Sequence, residues 1–337
     1  MSSPAPPVTA VAHPNIALVK YWGKYDEELI LPHAGSLSMT LDVFPTTTTV
    51  RLTPGRREDS VSIDGAPATA EPLRRVTRFL DLLRVRTGRR ERARVETFNT
   101  VPVGAGLASS AAGFAALALA AATAYEADLD LRGLSRLARR GSGSACRSVF
   151  AGFAQWHAPD PDSRDPDQAS YAEPVHDIHP ALDLALIAVL LQTTPKPVSS
   201  REAMHRTVAT SPLYPSWLRS TREALPDMRA ALRNGDLEEV GAIAERNALA
   251  MHATMETALP PVRYRTAASH RLLDHVHAMR EDGQRVWATM DAGPNVKVLC
   301  PGRDAPRIAA QLAAFSGSRT VIARPGPAAA LTTGGRP

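Results

Sequence analysis

The order of hydrophobic periods predicts an α+β protein whose antiparallel sheets carry helices on one face. The first half of the chain reads as strands and then helices. The end reads helix, strand, turn, strand, helix, strand. An Ala-rich, strongly helical stretch sits between two motifs rich in Gly and Ser.

Taken in order, "TAVAHPNIALV" and "SLSMTLDVF" are extended, and "TTTTVRLT" and "DSVSIDG" continue in β-branched alternation. "EPLRRVTRFLDLLRVRTG" has helical spacing, with Leu73, Val76, Phe79, Leu80 and Leu83 on one face. "RARVETFNT" is a strand, "SSAAGFAALALAAATAYEADL" a helix and "LRGLSRLARR" a further helix. "DLALIAVLL" reads as a strand buried on both faces, followed by helices in "PSWLRSTREALPDMRAALRNGD" and "LEEVGAIAERNALAMHATM". The last run divides into "SHRLLDHVHAMREDG", "RVWATM", the turn "DAGPN", "VKVLC", "DAPRIAAQLAAFSG" and "TVIARP". "HAPDPDSRDPDQASYAEP" is a surface excursion before a break near residues 180–190, while residues 1–7 and 325–337 read as frayed ends.

The 337 residues suffice for two modest domains, and 44% hydrophobic with 22% charged residues is ordinary for a soluble globular chain. The longest apolar run, "ALDLALIAVLL", is interrupted by Asp183 and too short to span a bilayer. The leader lacks the basic start and apolar core of a secretory signal. Two cysteines, Cys146 and Cys300, make no disulfide framework, and a reducing cytoplasm fits best. The formal charge of +5 comes from arginines scattered on helices, and only 5% of residues are aromatic, so no basic-aromatic groove for nucleic acid is expected. The excess suits a small anionic substrate.

Four stretches carry candidate chemistry. In "NIALVKYWGKYDEE" a buried strand runs into Lys20, Tyr21, Trp22, Gly23 and Lys24. This is either an edge strand blunted by lysines, with the aromatics on the core, or a pocket wall with cations turned toward an anion. "NTVPVGAGLASSAAGF" places Gly104 and Gly106 before Ser109 and Ser110 at a helix start. Such a loop offers backbone N–H groups and a positive dipole end to phosphate, and is equally an ordinary capped helix. It is neither a Walker A loop nor a dinucleotide fingerprint. "RRGSGSACRS" puts Ser142, Ser144 and Arg147 within one turn after a helix, a set suited to a carboxylate or phosphate. "WATMDAGPN" sets Asp291 at the end of an apolar strand, where an Asp commonly just caps the turn.

The loop over residues 102–113 resembles the ATP loop of the GHMP kinase superfamily, and "GLASSAAG" with Ala108 looks like its diphosphomevalonate decarboxylase branch. N-I-A-L-x-K-Y-W-G-K, R-x-G-S-G-S-A-C-R-S, V-S-S-R-E and T-M-D-A-G-P-N are similar to motifs of that branch, and the likeness runs from about residue 8 to 324. The departures are Val103-Gly104 in the loop, Arg140 for a usual Gln, Tyr25 where Arg is common, and Pro197 after Lys196, which removes one cation.

The resemblance implies a GHMP kinase fold: two α/β sandwich lobes, residues 1–185 and 186–325, around a deep substrate cleft, with a flexible tail at 326–337. It implies ATP-dependent decarboxylation of mevalonate 5-diphosphate by a cytoplasmic homodimer, with ATP and Mg2+ as cofactors and no nucleic-acid or membrane partner. Asp291, Lys20 and Arg147 are the implied catalytic set. Tyr21, Trp22, Lys24, Ser142, Ser144, Arg147, Ser200 and Arg201 would meet the substrate. Gly104, Gly106, Leu107, Ala108, Ser109, Ser110 and Lys196 would meet ATP, and Mg2+ would ride on its phosphates, with Ser109 or Ser110 the only protein ligand in view. His252 reads as packed within a helix.

The chemistry asks for that inventory. Losing CO2 from a 3-hydroxy acid requires C1–C2 electrons to flow toward C3, where hydroxide leaves poorly and phosphate leaves well. One carboxylate near the hydroxyl and several cations near the departing phosphate serve both steps. A sister enzyme acting on the monophosphate, a kinase stopping before decarboxylation, and a silent binding protein of the same fold are the alternatives.

Overall fold

The computed structural model describes residues 6–100, 109–160, 162–192 and 198–332. The chain starts with β1 (Val8–Ala12), β2 (Asn15–Val19), β3 (Lys24–Asp26), β4 (Leu31–Pro32), β5 (Ser36–Thr40), β6 (Thr46–Thr53), β7 (Ser60–Ile63) and β8 (Ala66–Pro67). There follow α1 (Ala70–Thr87), β9 (Arg92–Asn99), α2 (Ser109–Ala124), α3 (Leu131–Gly141), a 3-10 turn (Gly143–Cys146), β10 (Phe153–Trp156), the short α4 (Pro166–Ala169) and β11 (Ala172–Pro174). The remainder is β12 (Leu184–Val189), α5 (Ser200–Thr210), α6 (Tyr214–Asn234), α7 (Leu237–Glu256), α8 (Ala267–Glu281), β13 (Trp287–Met290), β14 (Val296–Pro301), α9 (Ala305–Ser316), β15 (Thr320–Ala323) and β16 (Ala330–Thr332).

These strands build sheets in the orders β16-β1-β6-β9-β7-β8, β11-β10-β5-β2 and β13-β14-β12-β15, with β3-β4 a separate hairpin. All pairings are antiparallel except β7 with β9, so the α+β expectation holds with one parallel pair added.

Side-chain alternation sets the layers. Along β12, Ala185, Ile187 and Val189 face Val276 and Leu272 of α8 and Ile308 and Leu312 of α9. Leu184, Leu186 and Ala188 face the opposite way, onto Met228 of α6, Ile243 of α7 and Ile16, Leu18, Leu37 and Met39 of β2 and β5. One core therefore joins the two halves of the chain, and α6 and α7 are its filling. On the far side, α1, α2 and α3 fill the space between the six-stranded sheet and Ala154 and Trp156 of β10. The Ala content of α2 explains its place: small side chains all round let strands approach closely on several sides.

The reading of the ends needs correction. Ala330–Thr332, inside the stretch expected to fray, pairs with Thr9–Val11 of β1 and extends the sheet, and Gly326 N–H donates to the Thr40 carbonyl at 2.7 Å. The expected division at 185/186 falls inside β12, all six residues of which pair with β14. "VSSREAMHRTVATSP" forms a helix, α5, that periodicity did not announce.

Candidate active site

The free edge of β2 carries the first cation into the molecule. β2 is the terminal strand of its sheet, as the blunted-edge reading has it, yet Lys20 is not a solvated lysine. It is 2% exposed, its backbone N–H donates to Asn247 Oδ1 on α7, and its ammonium donates to the Ala17 carbonyl and to Asp291 Oδ1, each at 2.8 Å. Asn247 is held in turn by Thr221 Oγ1 of α6 at 2.9 Å. The fixed amide replaces the missing strand neighbour and aims the lysine inward.

Asp291 follows β13 directly, and its carboxylate has two cations. Lys20 sits on Oδ1, and Lys297 Nζ lies 3.1 Å from Oδ2. Lys297 pairs across the hairpin with Thr289. Side chains two apart on a strand share a face, so Lys297 lies diagonally beside Asp291. The turn is pinned on three sides. Ser269 Oγ, in the capping box of α8, donates to the Pro294 carbonyl at 2.7 Å. Asn295 exchanges two hydrogen bonds of 2.9 Å with the Gln192 backbone. The buried His252 of α7 donates from Nε2 to the Asp291 carbonyl at 3.1 Å. His252 thus packs in a helix, as read, and also fixes the backbone of the acid.

Arg147 closes the third side. It lies 2% exposed just past the 3-10 turn. Its Nε donates to Ser38 Oγ at 2.9 Å and to Asn15 Oδ1 at 3.3 Å, and an Nη donates to Ser36 Oγ at 2.5 Å. Alternation along β5 turns Ser36 and Ser38 toward this side and Leu37 and Met39 into the core behind. Asn15 Nδ2 also holds the Ser144 carbonyl at 2.9 Å and Ser148 Oγ at 2.8 Å, so the "N" of "NIAL" fixes the Ser-Arg turn.

The electrostatics follow from the count. Burial pushes the Lys20 ammonium below its ordinary value, Asp291 opposes that, and Lys297 and Arg147 add to it. Arg147 is lowered by burial as well, partly offset by neighbours including Asp291. Burial alone would raise the Asp291 carboxyl, but Lys20 and Lys297 outweigh it and hold it far below the usual carboxylate range. Burial outweighs the counter-charge for Lys20 because a single carboxylate faces three buried cations. The pocket therefore retains positive charge that an anion would balance.

The remaining expected residues fall around this centre. The Tyr21 ring packs 4.6 Å from that of Trp156. Trp22 is buried among Tyr214, Trp217, Met251 and Tyr264, so its ring is core; its indole N–H has no partner among the described residues. Gly23 adopts φ +97°, and a Cβ there would meet Tyr214 Oη at 2.1 Å. Lys24 is paired with Glu27 at 2.6 Å. Ser142 ends α3, its hydroxyl 3.3 Å from that of Ser110 near the start of α2, so the Gly-Ser motifs meet in space. Ser200 and Arg201 open α5, capped by Ser199. Gly104, Gly106, Leu107, Ala108 and Lys196 lie outside the described residues. Cys146 is a buried thiol pushed up to about 12 by burial, the inert small hydrophobe expected of it.

Sequence reasoning missed Lys297, His252's contact, the Ser36–Ser38–Asn15 cradle, and Arg75. Arg75 reaches from α1 to the Gly141 carbonyl with bonds of 3.1 and 2.7 Å, and after burial the nearby Arg201 charge lowers it further. The serine alternation of "SLSMT" was available as a signal. For Lys297 the hairpin register was needed.

Among the described residues no His/Cys/Asp/Glu group could hold a metal ion, and no helix is long and apolar enough to cross a membrane. Residues 12–172 match the family model described as the diphosphomevalonate decarboxylase-like N-terminal domain, and 185–325 match the mevalonate 5-diphosphate decarboxylase C-terminal domain. The diphosphomevalonate decarboxylase of Bos taurus is 36% identical over 315 residues, 87% of this chain and 76% of that protein. The mevalonate diphosphate decarboxylase structure from Staphylococcus aureus is 38% identical with TM-score 0.91, over 97% of this chain and 98% of that one. A solved complex described as MDDEF with MVAPP, AMPPCP and magnesium is 41% identical with TM-score 0.89, over 97% and 98%.

Proposed function

The chain belongs to the diphosphomevalonate decarboxylase family, and from there we propose that it converts mevalonate 5-diphosphate and ATP to isopentenyl diphosphate, ADP, phosphate and CO2. The observation that carries this reading is the pocket of Lys20, Lys297 and Arg147 around the one carboxylate of Asp291. Asp291 accepts the hydrogen bond of the substrate's tertiary hydroxyl. That oxygen attacks the terminal phosphorus of ATP, the bond to ADP breaks, and the hydroxyl proton passes to the carboxylate. In a loose transition state the proton leaves late, once the new P–O bond has acidified it, so a weakly basic carboxylate suffices. The C3–O bond then breaks, phosphate departs toward the cations, the C1–C2 pair forms the C2–C3 double bond, and CO2 is released. Arg147, held by three neutral side-chain partners, faces the substrate carboxylate.

The N-terminal end of α2 fits the phosphates of ATP. It has no acidic residue in its first turn and carries the exposed Ser110 hydroxyl beside Ser142. Mg2+ fits as a cation carried on those phosphates, neutralising their charge, with Ser110 the described hydroxyl that could reach it. Arg75 and Arg201 supply the charge for the diphosphate, and with Ser200 and Lys24 form the substrate end. We also read the protein as a cytoplasmic homodimer, a mass that light scattering measures. The functional test is one incubation with Mg-ATP and mevalonate 5-diphosphate, reading ADP and CO2 together. Equal amounts are expected. ADP without CO2 would leave a 3-kinase, activity only on the monophosphate would leave the sister enzyme, and neither product would leave a binding protein.

A further inference from the structure

Asp291 has to be ionised and aimed at the hydroxyl when it takes that proton, yet one of its two cations is also needed elsewhere. Lys20 stands at the end of β2, where the strand gives way to the loop carrying Tyr21 and Trp22, and it is the cation the phosphoryl group in transfer would draw on. When Lys20 shifts its charge toward that group before the proton is transferred, a carboxylate with no other partner would be left in surroundings that favour its protonated form. Lys297 prevents this. It is the second residue of β14, with strand partners on both sides, Ala188 of β12 and Thr289 of β13. Its side chain is 1% exposed and reaches the other carboxylate oxygen, Oδ2, at 3.1 Å.

We propose, on the footing of the decarboxylase reading, that Lys297 is a positioning residue for the reaction: it is the fixed counter-charge that keeps Asp291 ionised and aimed until it accepts the hydroxyl proton, while Lys20 is shared with the phosphoryl group. The charged and titratable groups facing Asp291 are Lys20 from β2, Lys297 from β14, Arg147 after the 3-10 turn and His252 from α7. Behind His252 stands the Arg265–Glu256 pair at 2.6 Å. Of these only Lys20 and Lys297 contact the carboxylate itself. His252 holds the backbone, and Arg147 is already committed to Ser36, Ser38 and Asn15. Removing Lys297 leaves one cation to serve two anions in turn.

The test compares wild type with Lys297→Met and Lys297→Arg, in full pH profiles of kcat at saturating Mg-ATP and mevalonate 5-diphosphate. In Lys297→Met, kcat should fall about 100-fold, with both KM values within about threefold of wild type. The acid limb of its kcat profile should move up by about one pH unit or more, because burial then opposes ionisation with one cation instead of two. Lys297→Arg should return that limb to within about half a unit. A Met variant with kcat within about threefold of wild type, or with reduced kcat and an unmoved acid limb, overturns the assignment. Should the Met variant lose its thermal transition, Lys297→Gln is read in its place and the Arg variant decides alone: a folded Arg variant whose limb has moved also overturns it. The wild-type control keeps the two readings apart. No CO2 from wild type refutes the decarboxylase function, whereas CO2 from wild type with an unaffected Met variant refutes only the role of Lys297.

Discussion

Replacing Asp291 with Asn should separate turnover from binding and leave a stability signature that no neutral surface site would give. The substitution conserves shape and removes the one negative charge facing Lys20, Lys297 and Arg147. Breaking a buried ion pair by deleting one partner costs about 3–5 kcal/mol. Here the loss has a ceiling, because a stranded lysine can shed its proton. At pH 7.5 that costs about 4 kcal/mol for a group of ordinary pKa near 10.4, at about 1.4 kcal/mol per unit. Asp291 is also 27% exposed, so water softens the loss, and a net destabilisation of about 2–3 kcal/mol is expected. For a chain of this size that is about 3–4 °C in Tm. The deficit should shrink as pH rises from 7 to 9: the unfolded chain keeps its lysine protons while the folded variant sheds one, so fewer protons favour the fold. The anionic substrate should recover stability in thermal shift, since it restores the missing charge. Turnover should drop by about three orders of magnitude or more, measured as CO2 release, with ATP binding nearly intact. Residual turnover above a few per cent would remove Asp291 from the chemistry. A stability deficit that did not shrink with pH would refute the three-cation account of the site.

Two further predictions rest on the same elements. Gly23→Ala should cost about 2–4 kcal/mol, the sum of a left-handed backbone and an overpacked neighbour. Its Cβ would press on Tyr214 Oη, which donates to the Trp22 carbonyl. Adding Tyr214→Phe should recover part of the loss in chemical denaturation, and no recovery would point to backbone strain alone. His252 is buried and pushed down to about 3 by that burial, so the folded protein refuses a proton that the unfolded chain accepts below pH 6.5. Stability should therefore fall on acidification across that window, by up to about 1.4 kcal/mol per pH unit. His252→Gln, which keeps a donor for the Asp291 carbonyl, should show a shallower acid slope by that amount. An equal slope would mean His252 protonates freely.

Much of the site was legible because its parts are local in sequence. The extended run "SLSMT", the doubly buried strand "DLALIAVLL", the Ala-rich helix, and the Asp at the end of "WATM" are patterns over a few residues. The structure keeps each of them as a strand, helix or turn. The failures are just as specific. Short edge strands such as Ala330–Thr332 carry little periodicity of their own, and β16 exists because β1 offers an unpaired row of backbone groups. Nor does any local pattern show that the Trp22 ring is enclosed by α5, α6 and α7 and the segment before α8, elements that come about 180 residues or more later in the chain.

By itself, then, the sequence determined which chemical groups are present, which short motifs hold them, and the α+β class, because side-chain period and turn chemistry act over a few bonds. Whether Lys20 is a solvated edge lysine or a buried cation paired with a carboxylate was decided only by tertiary structure. The deciding contacts, to Asp291 and to Asn247, are 271 and 227 residues away in the chain. So too was the presence of Lys297 on Oδ2, which depends on the register of β13 against β14. A one-residue slip in that register would turn Lys297 to the other face of the sheet. Charge balance is a property of groups gathered in space, and burial multiplies its effect, so the same residues strung along a chain in water carry none of it.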